Sequence, residues 1–330
     1  MSEQSLLSVI SITKQFSSRQ GKMNAVDNVS FTLQKGQNLG IVGASGSGKS
    51  TVVKLVQRLL PVTSGHIYFN GVDITTISGR SLRLIRRQMQ SVSQNPYASL
   101  FPNKTIGQNI VEPLLIHKIG SASERVRTAQ HLMERVGVPS DQFYAFPHEI
   151  SGGQQQRISI ARALALKPEL LILDEAVSSL DVSIQAQILH LLDDLRHEYD
   201  LTYIFVSHNL AVIRLICSQV AVMFLGRIVE FGPIDVVYAA PAHPYTRALL
   251  EAVPDFHEVS AANEMMKESD PAPAMEPPTP YDMPSGCCYR TLCPFATNLC
   301  AQDQPSLQMQ HDGRLVACHY SELTTGGASR

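Results

Sequence analysis

The sequence predicts an α/β protein built on a mostly parallel β-sheet, and three observations support this. A short apolar run at 38–42 passes through a glycine-rich turn into a helical pattern at 50–60. A second apolar run, LLILDE, ends in two carboxylates at 174–175. From there to residue 232, strand and helix patterns alternate. Buried strands that alternate with helices are typical of parallel sheets covered by helices on both faces.

Composition and charge fit a globular chain without a nucleic-acid partner. The 330 residues are 44% hydrophobic and 17% charged, which allows one substantial core and a smaller appendage. The net charge is −2, and no basic stripe marks a nucleic-acid surface. The N-terminus lacks a secretory signal pattern, and no apolar run reaches the roughly 18 residues needed to span a bilayer. We therefore expect a cytoplasmic chain that can dock on a membrane protein.

The remaining elements follow in chain order from residue patterns. Strands are predicted at 6–12, 26–33, 38–42, 64–74 (a hairpin with Asn70-Gly71 at its turn), 170–175, 201–208, 220–226 and 227–232. Helices are predicted at 50–60, through most of 80–165, at 183–198, between the strands at 201–208 and 220–226, and near 243–253. A proline-rich stretch at 254–286 predicts an extended linker. The expected domains are 1–232, then 233–286 with a helix and the linker, then a cysteine-rich domain at 287–330.

The glycine-rich turn has the pattern of a phosphate-binding loop. Gly43, Gly48, Lys49 and Ser50 fit G-x-x-x-x-G-K-[ST], and Gly46 adds a third glycine. Glycines let successive backbone N–H groups point at one anion, and the following helix adds the positive end of its dipole. A flexible surface loop is the alternative, but such a loop needs neither the preceding strand nor the following helix. The pattern therefore indicates a nucleoside triphosphate site.

Acidic residues that follow a buried strand can complete such a site. Asp174 and Glu175 come directly after four apolar residues, at the end of a strand where open α/β sheets bind ligands. Asp174 is expected to hold Mg²⁺ through water, and Glu175 to orient and activate the attacking water. His208 ends the next predicted strand, and we expect it at the same sheet edge.

A second anion-binding helix start lies at ISGGQQQR, residues 150–157. Ser151 and two glycines open a helix, an arrangement that is more often a simple cap when it occurs alone. Because the chain already has a phosphate loop, two copies could close a nucleotide between them, each contributing one half.

These motifs, in this order, resemble the ATP-binding-cassette ATPases over residues 6–232. The resemblance implies a P-loop cassette with a parallel-sheet core, an antiparallel β subdomain and a helical subdomain, followed here by a small cysteine-rich C-terminal extension. The implied ATP contacts are Phe16, Gly43, Ala44, Ser45, Gly46, Ser47, Gly48, Lys49, Ser50, Thr51 and Gln94. The implied signature, which faces the ATP of a second cassette, is Ser151, Gly152, Gly153 and Gln154, and the D-loop is Ser179, Leu180 and Asp181. Mg²⁺ is assigned to Ser50, Gln94 and Asp174, and catalysis to Glu175 and His208.

Departures from the family pattern leave the predicted site complete. Ile150 replaces the usual leucine, Ala176 stands where proline often follows the acids, and Asn209 replaces a common aspartate. None of the three removes a group that touches phosphate, Mg²⁺ or water. We therefore expect a competent ATPase.

Finer features resemble the ATPase subunits of oligopeptide and dipeptide importers, closer to the second of the two ATPases that such importers pair. They are the segments 93–115 and 243–254 and the C-terminal cysteine block. The resemblance implies two transmembrane permease subunits, a sister ATPase in a heterodimer, and an extracytoplasmic peptide-binding protein. It also implies a peripheral position on the cytoplasmic face of the inner membrane. An importer for nickel or another small solute is one alternative, and a soluble regulatory or nucleic-acid-associated ATPase is the other.

The same resemblance assigns residues 94–115 to the groove where a membrane subunit docks. Substitutions at Tyr97 or Leu100 are then expected to spare the basal ATPase activity and damage transport. An ordinary loop between subdomains is the alternative, and the Pro, Asn and Ser content allows it.

Cysteines concentrate at the C-terminal end, where five of the six follow residue 286. Four thiolates there can close a zinc site or hold a [4Fe–4S] cluster. Their spacings of six, seven and eighteen residues suit a cluster better than the tight pairs of zinc ribbons. Similar blocks in peptide-permease ATPases are associated with a [4Fe–4S] cluster. The four candidate ligands are Cys287, Cys293, Cys300 and Cys318, while Cys288 is expected to be a bystander and Cys217 a core residue.

Overall fold

The computed structural model describes residues 5–18, 21–178, 180–252, 278–279 and 281–321. The chain forms two units that alternate along the sequence. The first unit comprises Met1–Leu7, Leu33–Asn38 and Phe69–Val206, and the second comprises Ser8–Thr32, Leu39–Tyr68 and Ser207–Arg330. Within the described part of the chain, no helix combines the length and the apolar character needed to cross a bilayer.

Strands and helices follow one another in the predicted alternating manner. The strands are β1 (Leu7–Ser18), β2 (Gly21–Leu33), β3 (Asn38–Val42), β4 (Ser64–Phe69), β5 (Val72–Asp73), β6 (Met89–Ser93), β7 (Leu170–Asp174), β8 (Thr202–Val206), β9 (Gln219–Phe224), β10 (Arg227–Pro233), β11 (Gln308–Met309) and β12 (Leu315–Val316). The helices are α1 (Lys49–Val56), α2 (Gly79–Gln88), α3 (Pro96–Ser99), α4 (Ile106–Ile116), α5 (Ala122–Arg135), α6 (Gly152–Leu164), α7 (Val182–Tyr199), α8 (Leu210–Ile216), α9 (Ile234–Ala239), α10 (Pro244–Glu251) and α11 (Asn298–Gln302). Short 3₁₀ helices lie at Ser140–Tyr144 and Pro147–Glu149.

Three strands of the first unit run parallel in the order β8, β7, β6. The register pairs Ser93 with Asp174, and Asp174 with Val206. All of β8, and β7 as far as Leu173, is buried, as expected for parallel strands that are covered on both faces. Because the carboxyl ends of these strands meet at one edge, the residues after Ser93 and Asp174 leave the sheet next to each other.

The helices of the first unit begin at strong local signals. Helices α4, α5 and α6 each start with a reciprocal capping box at Thr105, Ser121 and Ser151. In each box the hydroxyl accepts a hydrogen bond from the backbone N–H three residues later, and that residue's side chain accepts one from the cap N–H. This pairing satisfies two of the N–H groups that a helix start leaves without intrahelical partners.

The second unit contains both parallel and antiparallel pairs. Strands β3 and β9 are parallel neighbours, whereas β9, β10, β12 and β11 follow one another in antiparallel order. Strands β2, β1 and β4 are neighbours in a separate sheet. The two-residue strand β12 pairs Val316 with Glu230 and Leu315 with Phe231. The C-terminal segment 281–321 therefore adds two short strands to the sheet of the second unit, next to β10.

The sequence prediction was wrong or incomplete at several places. Strand β1 extends to Ser18 rather than residue 12, β2 begins at Gly21 rather than residue 26, and α11, β11 and β12 were not predicted. Strand β6 lies inside the stretch predicted to be helical; its five residues, MQSVS, adopt the strand through pairing with β7, which local propensity does not reveal. Helix α9 was not predicted, and α1 ends at Val56 rather than at residue 60. Most of the linker predicted at 254–286 lies outside the described residues.

A buried ion pair joins β10 to the C-terminal segment within the second unit. The Glu230 side chain is 0% exposed and the Arg314 side chain 5%, with Nη1 of Arg314 3.2 Å from Oε1 of Glu230. The same carboxylate accepts backbone hydrogen bonds from Ala242 and His243, both at 2.9 Å. Three donors thus satisfy a charge that would be costly to bury alone.

We expect Arg314→Leu to destabilise the protein, because it leaves the Glu230 carboxylate buried without its cation. Breaking one partner of a buried pair typically costs about 3–5 kcal/mol in the free energy of unfolding. The matched control is Arg135→Leu, which removes the half-exposed pair with Glu198 and should cost less than about 1 kcal/mol. Denaturant unfolding of both variants measures the difference, and equal losses would contradict the prediction.

Candidate functional site

The phosphate-binding pattern forms a tight loop between β3 and α1 in the second unit. Gly43, Gly46 and Gly48 all have positive φ, at 151°, 78° and 102°. At Gly43 an added Cβ would lie 2.2 Å from the carbonyl oxygen of Met223, and at Gly48 it would lie 2.4 Å from that of Ala25. These two glycines are therefore required by backbone conformation and by close backbone packing together. The phosphate-binding role predicted for this loop stays a prediction, and its backbone conformation is one that glycine permits.

Lys49 is buried within this loop. Its Nζ donates hydrogen bonds to the carbonyl oxygens of Gly43, at 2.7 Å, and Ala44, at 2.9 Å. The backbone N–H of Ser47 also donates to Ala44, at 3.2 Å. The ammonium group is thus held inside the curve of the loop, beside the N-terminus of α1, where a phosphate group is stabilised by backbone N–H groups and the helix dipole.

One residue that contacts this loop was missed by the sequence argument. The backbone N–H of Ala44 donates a hydrogen bond of 2.8 Å to the hydroxyl of Tyr245, near the start of α10. The segment 243–254 was recognised only as a family resemblance, with no role at the nucleotide site. A distance of 201 positions along the chain leaves no local signal that could have shown the contact.

In the first unit, the predicted Gln94, Asp174 and Glu175 lie at one sheet edge. Asp174 ends β7, and Gln94 directly follows Ser93, its register partner in β6. Glu175 has φ of 51°, which is uncommon for a side chain other than glycine, asparagine or aspartate. Its N–H donates to Val206, and its carbonyl oxygen accepts from the N–H and hydroxyl of Ser178. These bonds stabilise the left-handed backbone that turns the chain immediately after the strand.

The predicted signature forms the start of α6. The hydroxyl of Ser151 accepts from the N–H of Gln154 at 3.3 Å, and the Gln154 side chain accepts from the N–H of Ser151 at 3.0 Å. A Cβ at Gly152 would meet no atom within 4 Å, whereas one at Gly153 would lie 3.0 Å from Ile184 of α7. Gly152 thus leaves open space in front of the helix N-terminus, where an anion can approach the backbone.

The other predicted residues occupy exposed positions in their units. Phe16 is partly exposed, with Nζ of Lys14 5.3 Å from its ring centre. His208 is exposed and lies between β8 and α8 along the chain. Asp181 is the N-cap residue of α7, but its side chain makes no capping bond. Ser179 lies outside the described residues.

The four cysteines predicted to bind a cluster line one small cavity in the second unit. Cys287, Cys293, Cys300 and Cys318 share it with His243 and Tyr289, among others. Hydrogen bonds from the Cys288 thiol and from His243 lower the pKa of Cys287, whereas burial raises the pKa of Cys293 and of Cys318. Among the described residues, however, no group of three or more His, Cys, Asp or Glu side chains has the arrangement of a metal site. The four thiols line one cavity, but they are not arranged as the ligands of a metal ion.

The two predicted non-ligand cysteines also have clear positions. Cys288 is buried next to Cys287 in sequence; the two line a second cavity together, but Cys288 does not line the one that the four candidate ligands share. Cys217, directly after α8, is a buried core residue, and burial raises the pKa of its thiol.

Comparisons with known proteins identify relatives among ABC transporters and peptide transporters. The ABC transporter family model matches residues 26–178, and the model of the oligopeptide/dipeptide transporter C-terminal region matches residues 229–300. The chain is 43% identical over 305 residues to the di/tripeptide transport ATP-binding protein DppF of Pseudomonas aeruginosa, covering 92% of each chain. It is 44% identical over 305 residues to the oligopeptide transport ATP-binding protein AppF of Bacillus subtilis, again covering 92% of each. A solved dimeric ATP-binding cassette with ADP and Pi matches with TM-score 0.64 and 28% identity, covering 69% of this chain and 98% of that one.

Proposed function

This chain belongs to the ABC transporter family of ATP-binding proteins, and we propose that it hydrolyses ATP to power the import of short peptides across the inner membrane. The match of residues 229–300 to the oligopeptide/dipeptide C-terminal region carries the choice of solute, because it lies outside the general ATPase motifs. The relatives named for di/tripeptide and oligopeptide transport support the same choice over nickel or another small solute.

We assign ATP binding to the glycine-rich loop between β3 and α1 in the second unit. The N–H groups of Gly46–Thr51 and the ammonium of Lys49 bind the phosphates, and Phe16 stacks on the adenine ring. The side-chain oxygens of Ser50, Gln94 and Asp174 are the kind that Mg²⁺ prefers, and the ion would neutralise phosphate charge. Two observations support these assignments. Lys49 is bonded within the loop, and Gln94 and Asp174 lie at the same edge of the sheet.

Hydrolysis is assigned to Glu175, which orients a water molecule toward the terminal phosphate and takes its proton. His208 assists by contacting the same phosphate. The left-handed turn at Glu175 supports this role, since strained backbone is often found where a side chain must be aimed.

The working unit is proposed to be a pair of cassettes, formed with a sister ATPase. Each ATP would lie between the phosphate loop of one cassette and Ser151–Gln154 of the other, with Asp181 of the D-loop at the contact. The open space in front of Gly152 and the dimeric state of the solved relative support this arrangement.

The partners are proposed to be two transmembrane permease subunits and an extracytoplasmic peptide-binding protein, with this chain on the cytoplasmic face of the membrane. Purification of the tagged chain from membranes tests the proposal. We expect polytopic membrane proteins to copurify, and peptide uptake to be lost when the chain is absent. Copurification with RNA, DNA or ribosomes would contradict the proposal, and uptake of a metal complex instead of peptides would reassign the solute.

Residues 94–115 are proposed to form the docking groove for a membrane subunit, and Tyr97 is its exposed aromatic side chain. Tyr97 is 63% exposed, but Leu100 is 3% exposed and therefore belongs to the core. The expectation that Leu100 reports docking was wrong, because its substitution would create a cavity. We expect Tyr97→Ala to reduce transport severalfold while basal ATPase activity stays within about twofold, as for surface substitutions away from a catalytic site. Tyr144→Ala, at another exposed tyrosine, is the matched control and should leave both unchanged.

The cysteine cavity is proposed to hold a [4Fe–4S] cluster through Cys287, Cys293, Cys300 and Cys318, with zinc as the alternative. Their position on one cavity supports this, and a cluster would draw the thiols together on binding. We expect anaerobically purified protein to be brown and to contain iron and sulfide, and Cys293→Ser to lose both. Cys288→Ser is the matched control and should keep them. Colourless protein with one zinc per chain would replace the cluster by zinc, and metal-free protein would reject both.

A further inference from the structure

Ala44, the residue after Gly43, has hydrogen bonds at both its carbonyl oxygen and its backbone N–H. The carbonyl oxygen of Ala44 accepts from Lys49, and its N–H donates to the hydroxyl of Tyr245. The Lys49 bond comes from within the loop, whereas the Tyr245 bond comes from α10, which belongs to the C-terminal part of the chain. Ala44 is itself exposed, so the hydroxyl stabilises a loop that faces solvent on its other side.

Tyr245 is rigidly placed for this contact. It is 7% exposed, and burial raises the pKa of its hydroxyl, which keeps it uncharged. Its backbone N–H donates to Nδ1 of His243, the N-cap residue of α10, and the N–H of His243 donates to the buried Glu230 carboxylate. The position of the ring is thus determined by the capped start of a helix that is bonded to β10.

The ring of Tyr245 also packs against the cysteine-rich segment that begins at residue 287. Its ring centre lies 5.4 Å from that of Tyr289 and 4.7 Å from that of Phe224. Tyr289 also packs edge-on against Phe224, at 5.3 Å. Tyr289 directly follows Cys287 and Cys288 and lines the same cavity as the four cysteines, so one side chain contacts both that cavity and the ring of Tyr245.

We propose that Tyr245 is a positioning residue for the phosphate loop and that it couples the cysteine cavity to nucleotide affinity. The hydroxyl holds Ala44 so that the loop is preorganised before ATP binds, and Tyr289 determines how firmly the ring is held. The inference rests on the proposed ATP site, and it adds a residue and a regulatory route that the ATPase motifs do not contain.

Tyr245→Phe is the direct test, because it keeps the ring between Phe224 and Tyr289 and removes only the hydroxyl. Loss of one neutral hydrogen bond predicts a rise of about three- to tenfold in the Kd of a fluorescent ATP analogue, measured on the full-length protein. The KM for ATP should rise in parallel while kcat at saturating ATP changes less than about twofold, since bound nucleotide reorders the loop.

Tyr238→Phe is the matched control. Its hydroxyl is also buried, and it donates to the carbonyl oxygen of Leu210 at 2.9 Å, which is a residue of α8 and not of the phosphate loop. A general loss of stability would affect both variants and would lower kcat through the folded fraction without raising Kd. Equal Kd values for wild type and Tyr245→Phe would overturn the inference while leaving the ATP site intact, whereas failure of the wild type to bind would overturn the ATP site as well.

The coupling to the cysteine cavity is tested by a double-mutant cycle. Tyr289→Leu should raise the Kd in the wild-type background and have no further effect in Tyr245→Phe, because the route passes through that hydroxyl. Tyr289→Phe, which keeps the ring, should restore wild-type affinity. Additive effects of Tyr289→Leu and Tyr245→Phe, or no effect of Tyr289→Leu alone, would reject the coupling.

Discussion

Glu175→Gln is expected to abolish turnover while ATP still binds. The amide keeps the shape of the side chain but cannot take a proton from water, and removal of a general base typically costs about 10²–10⁴-fold in rate. The backbone bonds that aim the residue, from its N–H to Val206 and from Ser178 to its carbonyl, do not involve the side chain and are unchanged. Phosphate release measures the rate, and titration with a fluorescent ATP analogue measures binding.

The matched control for this prediction is Glu169→Gln, just before the amino end of the same strand β7. The Glu169 carboxylate accepts from Asn70 and Gln88, far along the strand from Asp174. Its variant should keep turnover near the wild-type rate. Near-normal hydrolysis in Glu175→Gln would show that another group is the base, and loss of ATP binding there would assign the carboxylate a binding role instead.

Lys49→Ala is expected to weaken ATP binding and turnover together. The change removes the positive charge that we propose binds the phosphates, together with two hydrogen bonds from Lys49 to the carbonyl oxygens of Gly43 and Ala44. A charged hydrogen bond is worth about 1.5–3 kcal/mol, which corresponds to roughly 10–100-fold in affinity. Lys49→Arg should not restore binding, because a larger planar group does not fit within the same loop.

Lys54→Ala provides the control for Lys49→Ala. Lys54 lies in the last turn of the same helix α1, and its side chain is exposed, whereas Lys49 is buried at the start of the helix. Lys54→Ala should keep full ATP affinity, which would show that loss of a lysine charge elsewhere on α1 does not reduce ATP binding. Full ATP affinity in Lys49→Ala, measured by direct titration, would contradict the assignment of this loop to the phosphates.

The nucleotide-binding loop shows how much a local pattern can determine. Gly43 and Gly48 were predicted from spacing alone, and the structure gives each a positive φ and a backbone neighbour within 2.4 Å of an added Cβ. Strands β3, β7 and β8 were equally predictable, since continuous apolar runs of about five residues are typical of strands buried on both faces. The helix start at Ser151 was predicted from a serine followed by two glycines, and the structure shows in addition a capping box with Gln154.

Predictions failed where a residue's role depends on a distant partner. Strand β6 has only two buried side chains, Met89 and Val92. The rest of its sequence is polar and does not differ clearly from that of the helices before and after it. Leu100 was assigned to a docking surface from its neighbours in sequence, yet the fold buries it. In both cases tertiary packing outweighs local preference, as it commonly does for short segments.

The sequence by itself determined the family to which the chain belongs and the candidate residues for its chemistry: the glycine-rich loop with Lys49, the acids after β7 and the helix start at Ser151. These features depend on residue type and short spacing, which are local. Only the tertiary structure decided that Tyr245 holds Ala44, that Arg314 neutralises Glu230, and that four separated cysteines line one cavity. The partners in the first two contacts are 201 and 84 positions apart, so each contact forms only when long-range packing offsets the entropy of closing those loops.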